Sequence, residues 1–574
     1  MVEHDGGAQV ADITSGYVFE GPTLHLGAAL VDGALHADAQ VRLPLAMMNR
    51  HGLIAGATGT GKTVTLQVMA EQLSAHGVPV FLSDIKGDLT GLTMPGTASD
   101  RLTKRTASVG QEWTPTGFPV EFLTLGGGGI PVRATISSFG PLLLSRVLDL
   151  NETQESSLQL VFHYADRNGL ELYDLADLRA VIGFLTSDEG KEALDSLGGL
   201  SRATAGVILR GLVTLEAQGM DAFFGEPEFD TADLLRTAPD GRGVITALEL
   251  VALQQKPRLF STFLMWLLAD LFAELPEIGD ADKPRLVFFL DEAHLLFTGS
   301  SKAFRESIQT TVRLIRSKGV GIFFVTQTPK DLPGEVLGQL ANRVQHALRA
   351  FTPDDAKALR ATVSTFPTSA YDLEEVLTSA GIGEAVVTVM NEHGAPTPVA
   401  WTRLRSPESV MGRAPEGTVS AVVAASPLLP RYGQAVDSHS AFEKLGGRTD
   451  VAPPTGAPVA ERSREERDAE ARRIEEEILG VPSRPARRRD RQENPGAAGR
   501  PAGSTDGRYD DVPAPRPEDR AAEYGAEYGT GRTTAQRGPG RDEMADLALK
   551  AAGVIGKELA RGLFGTKHRK RRWY

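Results

Sequence analysis

One octapeptide constrains this chain more than anything else in it: Gly56-Ala57-Thr58-Gly59-Thr60-Gly61-Lys62-Thr63, a glycine-rich loop closed by Lys-Thr. The short apolar run His51-Gly52-Leu53-Ile54-Ala55 leads into it and can form a buried strand. After it, Leu66, Met69, Ala70 and Leu73 fall at helical spacing within Thr63–Ala75. Strand, glycine loop and helix in that order separate a phosphate-binding loop from a chance glycine-rich turn. The glycines let backbone N–H groups curl around a phosphate, and the helix N-terminus adds a positive dipole. Lys62 is placed to bridge the β- and γ-phosphates of a nucleotide, and Thr63 to offer its hydroxyl to Mg2+.

Two further apolar runs end in polar residues of the right kind. Arg285-Leu286-Val287-Phe288-Phe289-Leu290 runs into Asp291-Glu292, and open α/β sheets bind ligands at the C-terminal ends of their strands. Asp291 is expected to hold Mg2+, and Glu292 to act as the general base that orients water. A base in this place favours a motor-type ATPase over a nucleotide kinase or GTPase. An Asn-Lys-x-Asp guanine-reading motif is absent, which favours ATP over GTP. The run Gly319–Val325 ends in Thr326-Gln327-Thr328-Pro329. Gln327 is read either as a sensor of the γ-phosphate or its water, or as a strand-end turn residue. Between these runs lies a helical stretch with Arg305, Arg313, Arg316 and Lys318. Arg316, with Arg313 as the alternative, is the candidate finger that a neighbouring subunit would insert. A solvated or ion-paired arginine is the competing reading. Val78–Ser83 is a fourth strand, followed by Asp84-Ile85-Lys86-Gly87-Asp88. There Asp84 or Asp88 could lie near the metal or position Lys86, or the stretch could be turn chemistry alone.

The alternation of apolar strand-like runs with helical periodicity predicts an α/β domain with a mainly parallel sheet. We place a short strand-rich segment at 1–48, too short for an independent barrel, with Tyr17-Val18-Phe19 and Leu24-His25-Leu26 as its alternating pieces. The ATPase core follows at 49–125 and 241–445, interrupted by a mostly helical insertion at 126–240. The most apolar stretch, Phe263–Phe272, carries Asp270 and is too short to span a bilayer, so it reads as a buried helix. Beyond about 445, Ala, Pro, Gly, Arg and acidic residues dominate, and 446–540 is expected to be disordered, with one charged helix over Glu461–Leu479. In 541–574, Met544, Leu547, Ala548, Ala551, Ile555, Leu559 and Leu563 share one helical face ahead of a basic end, Lys567-His568-Arg569-Lys570-Arg571-Arg572-Trp573-Tyr574. That segment has nine basic and four acidic side chains, a net of +5 within a chain of −13. It suits an anionic membrane surface, a partner helix or nucleic-acid phosphates, or it is a solvated helix with no partner. The chain has no cysteine, which excludes a disulfide framework, a thiolate metal site and a Cys nucleophile. Its first residues lack a basic region followed by an apolar stretch, so no secretory signal is expected and a cytoplasmic location is.

With these residues assembled, the chain resembles the HerA/FtsK superfamily of ring ATPases, and more closely the bacterial proteins with a HerA-like helicase C-terminal domain. The resemblance is carried by NRHGLIAGATGTGKTVTLQ (Asn49–Gln67), SDIKGDLTGL (Ser83–Leu92), GPLLLSRVLDLNETQ (Gly140–Gln154), LVFFLDEAHLLF (Leu286–Phe297), GVGIFFVTQTP (Gly319–Pro329) and GEAVVTVMNEHGAPTPV (Gly383–Val399). It implies a RecA-like core and a hexameric ring. It also implies Lys62 and Thr63 at the phosphates and metal, Asp291 and Glu292 at metal and water, Gln327 as sensor and Arg316 as finger. Translocation on double-stranded DNA, or helicase-type activity, is the function it implies. Two other classes compete with that reading. One is an ATPase that remodels or anchors protein or membrane partners without acting on DNA, and the other is a nucleotide-binding switch with negligible turnover.

Overall fold

Apolar runs of four to seven residues build the centre of the molecule, because a strand covered on both faces needs side chains that tolerate burial at every position. In the computed structural model, which describes residues 6–250, 257–279, 281–297 and 302–446, these runs are strands of one sheet. In chain order the first strands of that sheet are β1 (Thr23–Val31), β2 (Ala34–Pro44), β3 (Gly52–Ala55), β4 (Val80–Asp84), β5 (Val120–Thr124) and β6 (Ile130–Pro131). The second half of the sheet comes from β7 (Ile245–Glu249), β8 (Leu286–Leu290), β9 (Val320–Thr326), β10 (Asn342–His346), β11 (Glu384–Thr388) and β12 (Ala400–Leu404). The 12 strands lie in the order β2-β1-β12-β11-β10-β3-β9-β8-β4-β7-β5-β6. From β10 to β6 every pairing is parallel, and β10, β11, β12, β1 and β2 continue it antiparallel.

The fold is therefore α/β, a RecA-like P-loop core, with β9 inserted between the phosphate-loop strand β3 and the acidic strand β8. Every residue of β3, β4, β8 and β9 is buried. The helix Pro257–Glu274 covers one face. Its Phe263 meets Phe81 of β4 at 6.4 Å between ring centroids, and Phe81 in turn meets Phe288 of β8 at 4.9 Å. Burial of each such ring contributes about 1.5–3 kcal/mol, which explains why Asp270 can be tolerated in so apolar a helix; its carboxylate accepts the Thr231 hydroxyl at 2.6 Å.

Between β5 and β7 the chain is largely helical, with helices Ile136–Leu148, Glu152–Arg167, Leu175–Thr186 and Arg202–Ala217. The N-terminal segment carries the strands β1 and β2, and its first residues differ from the sequence reading. Gly6–Gly16 is a helix, and Tyr17-Val18-Phe19 follows it as irregular chain. Tyr17 is buried and its hydroxyl donates to the Val387 and Pro398 carbonyls, so it anchors the helix end rather than a strand. Leu24-His25-Leu26 does lie in a strand, β1, and the β1–β2 hairpin extends the main sheet through β12. Beyond β12, residues 405–414 run back across the domain as a strap. The expected disorder past 446, the charged helix Glu461–Leu479 and the amphipathic helix of 541–574 lie outside the described residues. No helix among the described residues is long and apolar enough to cross a membrane.

Candidate active site

Parallel strands bring their C-terminal ends to one edge, and the loop Gly56–Thr63, Asp291-Glu292 and Gln327 all lie there. The loop leaving β3 is held by its neighbours on both sides. Gly56 N–H donates to the Thr326 carbonyl of β9 at 3.2 Å, and Ala57 N–H to the Ala347 carbonyl just past β10 at 2.8 Å. Gly56, Gly59 and Gly61 have φ of 156°, 79° and 111°, a region open to glycine at little cost. A Cβ on Gly56 would collide with His346, so the close approach of β10 also requires glycine there. Gly61 precedes the helix Lys62–Ala75. Thr58 and Thr60 complete the loop, and the Thr60 carbonyl accepts the Gly383 N–H at 2.9 Å. Lys62 is buried and its ammonium folds onto the loop, donating to the carbonyls of Gly56 (2.7 Å) and Ala57 (3.2 Å). Burial lowers its pKa, and the Lys86 charge pushes the same way against Glu292 and Asp291. Thr63, half-buried, is the second residue of the helix.

Across the sheet, Asp291 follows β8 and is 2% exposed. Its N–H donates to the Ser83 hydroxyl of β4 at 2.9 Å, and its Oδ1 accepts the Glu292 N–H at 2.9 Å. Its Oδ2 is buried without a hydrogen-bond partner. Burial, with help from the Glu292 charge and against Lys86, raises the Asp291 carboxyl to about 6. A buried carboxylate oxygen with no donor facing it is a group that a cation fits. No cluster of three or more His, Cys, Asp or Glu that could hold a metal occurs among the described residues. That donor set, one carboxylate and one hydroxyl, suits Mg2+, which keeps several waters and takes substrate phosphates as ligands.

Glu292 occupies the left-handed region (φ 47°, ψ 47°), which costs a non-glycine residue on the order of 1–3 kcal/mol and persists only where the surroundings impose it. Its carboxylate lies 2.7 Å from the Lys86 ammonium and 3.4 Å from His294 Nδ1. Burial would raise its pKa, but the Lys86 hydrogen bond and charge, then His294 and Lys62, carry it below the usual carboxylate range. Asp84 and Asp88 separate in role. Asp84 is buried, and its carboxylate accepts the N–H groups of Gly87 (2.7 Å), Asp88 (3.3 Å) and Leu89 (3.0 Å), shaping the loop that carries Lys86. Asp88 lies within electrostatic reach of Lys86 and Asp291.

Gln327 stands exposed one residue past β9, between β3 and β8. The turn beneath it is fixed by Asp331, which accepts from the Thr326 hydroxyl and the Thr328 N–H. Arg316 is not brought to this edge. It lies exposed ahead of β9, at the N-terminal end of a strand parallel to β3, as does Arg313 at the end of the helix Lys302–Ile315. The seven-residue strand alone puts about 20 Å between it and the phosphate loop. Any part Arg316 plays at a nucleotide site needs a second copy.

Three residues here escaped the sequence reading. His346, wholly buried at the end of β10, bonds Thr65 Oγ1 through Nε2 at 2.9 Å, and burial followed by the Lys62 charge lowers its pKa to about 4. Arg105 donates to the carbonyls of Gly383 and Leu404 and braces the turn against Thr60. Arg413 donates to the Lys86 carbonyl at 2.7 Å. Only Gly383 carried a signal, as the first residue of the GEAVV stretch.

The sequence profile of the family described as "Helicase HerA-like C-terminal" matches residues 31–505. A DNA double-strand break repair helicase HerA of Saccharolobus solfataricus is 20% identical over 364 residues, which is 63% of this chain and 66% of that protein. The chain thus spans just under two thirds of the length of this relative. Among solved structures, the bacterial conjugative coupling protein TrwBdeltaN70 is 15% identical over 71% of this chain and 94% of that one, with a TM-score of 0.47. VirB4 of Thermoanaerobacter pseudethanolicus is 16% identical over 70% of this chain and 99% of that one, with a TM-score of 0.39.

Proposed function

The chain belongs to the helicase HerA-like C-terminal family, and on that premise we propose that it is a Mg2+-dependent ATPase, working as a hexameric ring that moves double-stranded DNA by translocation or helicase-type activity. The backbone of Gly56–Thr63 and the Lys62 ammonium hold the nucleotide phosphates. Thr63 and Asp291 hold Mg2+, which when bound neutralises charge on those phosphates. Glu292 orients and polarises the attacking water, Gln327 reads the terminal phosphate, and Arg316 or Arg313 of a neighbouring copy stabilises charge on the transferred group. The observation that most supports turnover over mere binding is the pairing of an unsatisfied buried Asp291 oxygen with a strained, half-buried Glu292 on the next residue. The DNA substrate draws its support from family membership and from the repair helicase among the relatives.

The test is ATP turnover by the purified full chain, with and without double-stranded DNA over a range of salt, with the oligomeric state read in the same sample. We expect DNA to raise turnover, and Glu292→Gln to lower it at least 100-fold, the scale of a lost general base, while nucleotide binding persists. Wild-type turnover by Glu292→Gln would refute the base. Turnover indifferent to DNA at every salt concentration would move the substrate to a protein or membrane partner. A monomer in the presence of ATP would remove the ring and the role of Arg316.

A further inference from the structure

The ion pair between Lys86 and Glu292 joins two residues whose backbones have little freedom. Glu292 is set by its left-handed conformation immediately after β8. The Lys86 loop is shaped by three hydrogen bonds to the buried Asp84 carboxylate and tied through the Lys86 carbonyl to Arg413. What can move is the Lys86 side chain, a flexible four-carbon stem that is 43% exposed while Glu292 is 12% exposed. A half-exposed ion pair of this kind is weak, so exchange of one anion for another is easy. Beside its direct contact with Glu292, the charge of Lys86 reaches Lys62 and Asp291, so its ammonium stands among the groups assigned above to phosphate and metal.

We propose that Lys86 is a positioning residue that exchanges partners: it pairs with the Glu292 carboxylate until a nucleoside triphosphate binds, then turns to the terminal phosphate and releases Glu292 to orient water. This rests on the nucleotide-binding reading of the site. A diphosphate lacks the group that draws Lys86 away, so the exchange distinguishes triphosphate from diphosphate and keeps the base engaged when no terminal phosphate is present.

The experiment measures, by calorimetry with Mg2+ present, the affinities of ADP and of the non-hydrolysable analogue adenylyl imidodiphosphate. The full chain carrying Glu292→Gln is compared with Lys86→Met/Glu292→Gln and Lys86→Arg/Glu292→Gln. The Glu292→Gln background removes the carboxylate charge, so a Lys86 that merely neutralises Glu292 has no effect there. We expect Lys86→Met to lower the preference for the analogue over ADP by about tenfold or more, the scale of one charge-assisted hydrogen bond. ADP affinity should hold within about twofold, which also reports a folded site, and Lys86→Arg should recover most of the preference. An unchanged preference, whether ADP affinity is kept or falls in step with the analogue, overturns the exchange and leaves the nucleotide reading standing. Failure of wild type and every variant to bind either nucleotide overturns the nucleotide reading and the exchange with it.

Discussion

Replacing Asp84 with alanine is expected to loosen the loop at residues 85–92 while the rest of the fold persists. The carboxylate serves three backbone donors, and two of them, on Gly87 and Leu89, belong to buried residues. Without it those two N–H groups have no acceptor, at about 1–3 kcal/mol each, whereas Asp88 is half-buried and its N–H can turn to water. Burial already raises the Asp84 carboxyl above its usual range despite these bonds, so removing the charge also relieves a desolvation cost. The net loss is then about 2–4 kcal/mol. With unfolding entropy near 2.1 cal/mol/K per residue over the roughly 430 described residues, that lowers Tm by only about 2–4 °C. The sharper assay is therefore hydrogen exchange by mass spectrometry. A peptide covering 85–92 should exchange faster in Asp84→Ala, with the helix Lys62–Ala75 unchanged, and Asp84→Asn should show about half the effect because its Oδ1 still accepts from Gly87. Wild-type protection of that peptide, together with a Tm shift below about 1 °C, would refute the assignment of Asp84 as the shaper of the Lys86 loop.

Three other outcomes follow from the same geometry. His51 is wholly buried; its Nδ1 accepts the Ile322 N–H, its Nε2–H donates to the Val312 carbonyl, and burial lowers its pKa to about 4. The folded chain therefore stays neutral there while the unfolded chain takes up a proton below about 6.5, and stability should fall by about 1.4 kcal/mol per pH unit between 6.5 and 4 from this residue. Urea midpoints across that range should give a slope flatter by about one proton in His51→Gln, and an equal slope would refute the reading. Gly383 has φ 74°, and a Cβ there would meet Arg105 Nη2 at 2.6 Å. Gly383→Ala should therefore displace Arg105 and weaken ADP binding several-fold in calorimetry, and an unchanged affinity would count against the brace on Thr60. A Cβ on Gly27 would sit on the Arg403 carbonyl, so Gly27→Ala should part β1 from β12 and speed exchange of the Thr23–Val31 amides; wild-type protection of that strand would refute the close packing.

What the sequence made legible was local or periodic. The phosphate loop is a contiguous octapeptide, and the runs that became β3, β8 and β9 are apolar at every position because both faces of a parallel sheet are covered. The polar residue ending each run could therefore be named before any pairing was known. The contact between Lys86 and Glu292 was not legible, since the two lie about 200 residues apart in sequence and meet only because β4 is placed beside β8. The helix Gly6–Gly16 was hidden by its own composition: Gly6 and Gly7 are poor helix formers, and tertiary burial of Ile13 and Tyr17 overrides that propensity. The position of Arg316 was not legible either, because the need for a cation from a neighbouring subunit says nothing about which end of β9 carries it.

The two lysines of the site ride on elements fastened by one segment. The helix Lys62–Ala75 carries Glu71, whose buried carboxylate accepts from the Glu408 N–H and from the N–H and hydroxyl of Ser409, and Gln67, which donates to the Ser409 hydroxyl and the Val410 carbonyl. A few residues on, the same strap binds the chain that follows β4. Val410 N–H donates to the Met94 carbonyl, Gly91 N–H to that of Gly412, Ala414 N–H to the Thr90 hydroxyl, and Arg413 to the Lys86 carbonyl. Residues 408–414 thus clamp the phosphate-loop helix to the Lys86 loop through buried and charge-assisted bonds, and a shift of one against the other would break several at once. The backbone frame around Lys62 and Lys86 is in this sense pre-set, and the freedom that remains at this edge belongs to side chains, to Lys86 above all. An active site organised this way gains geometric precision from a segment that touches no reacting group, because each bond that fixes the frame lowers the reorganisation left for the moment of reaction.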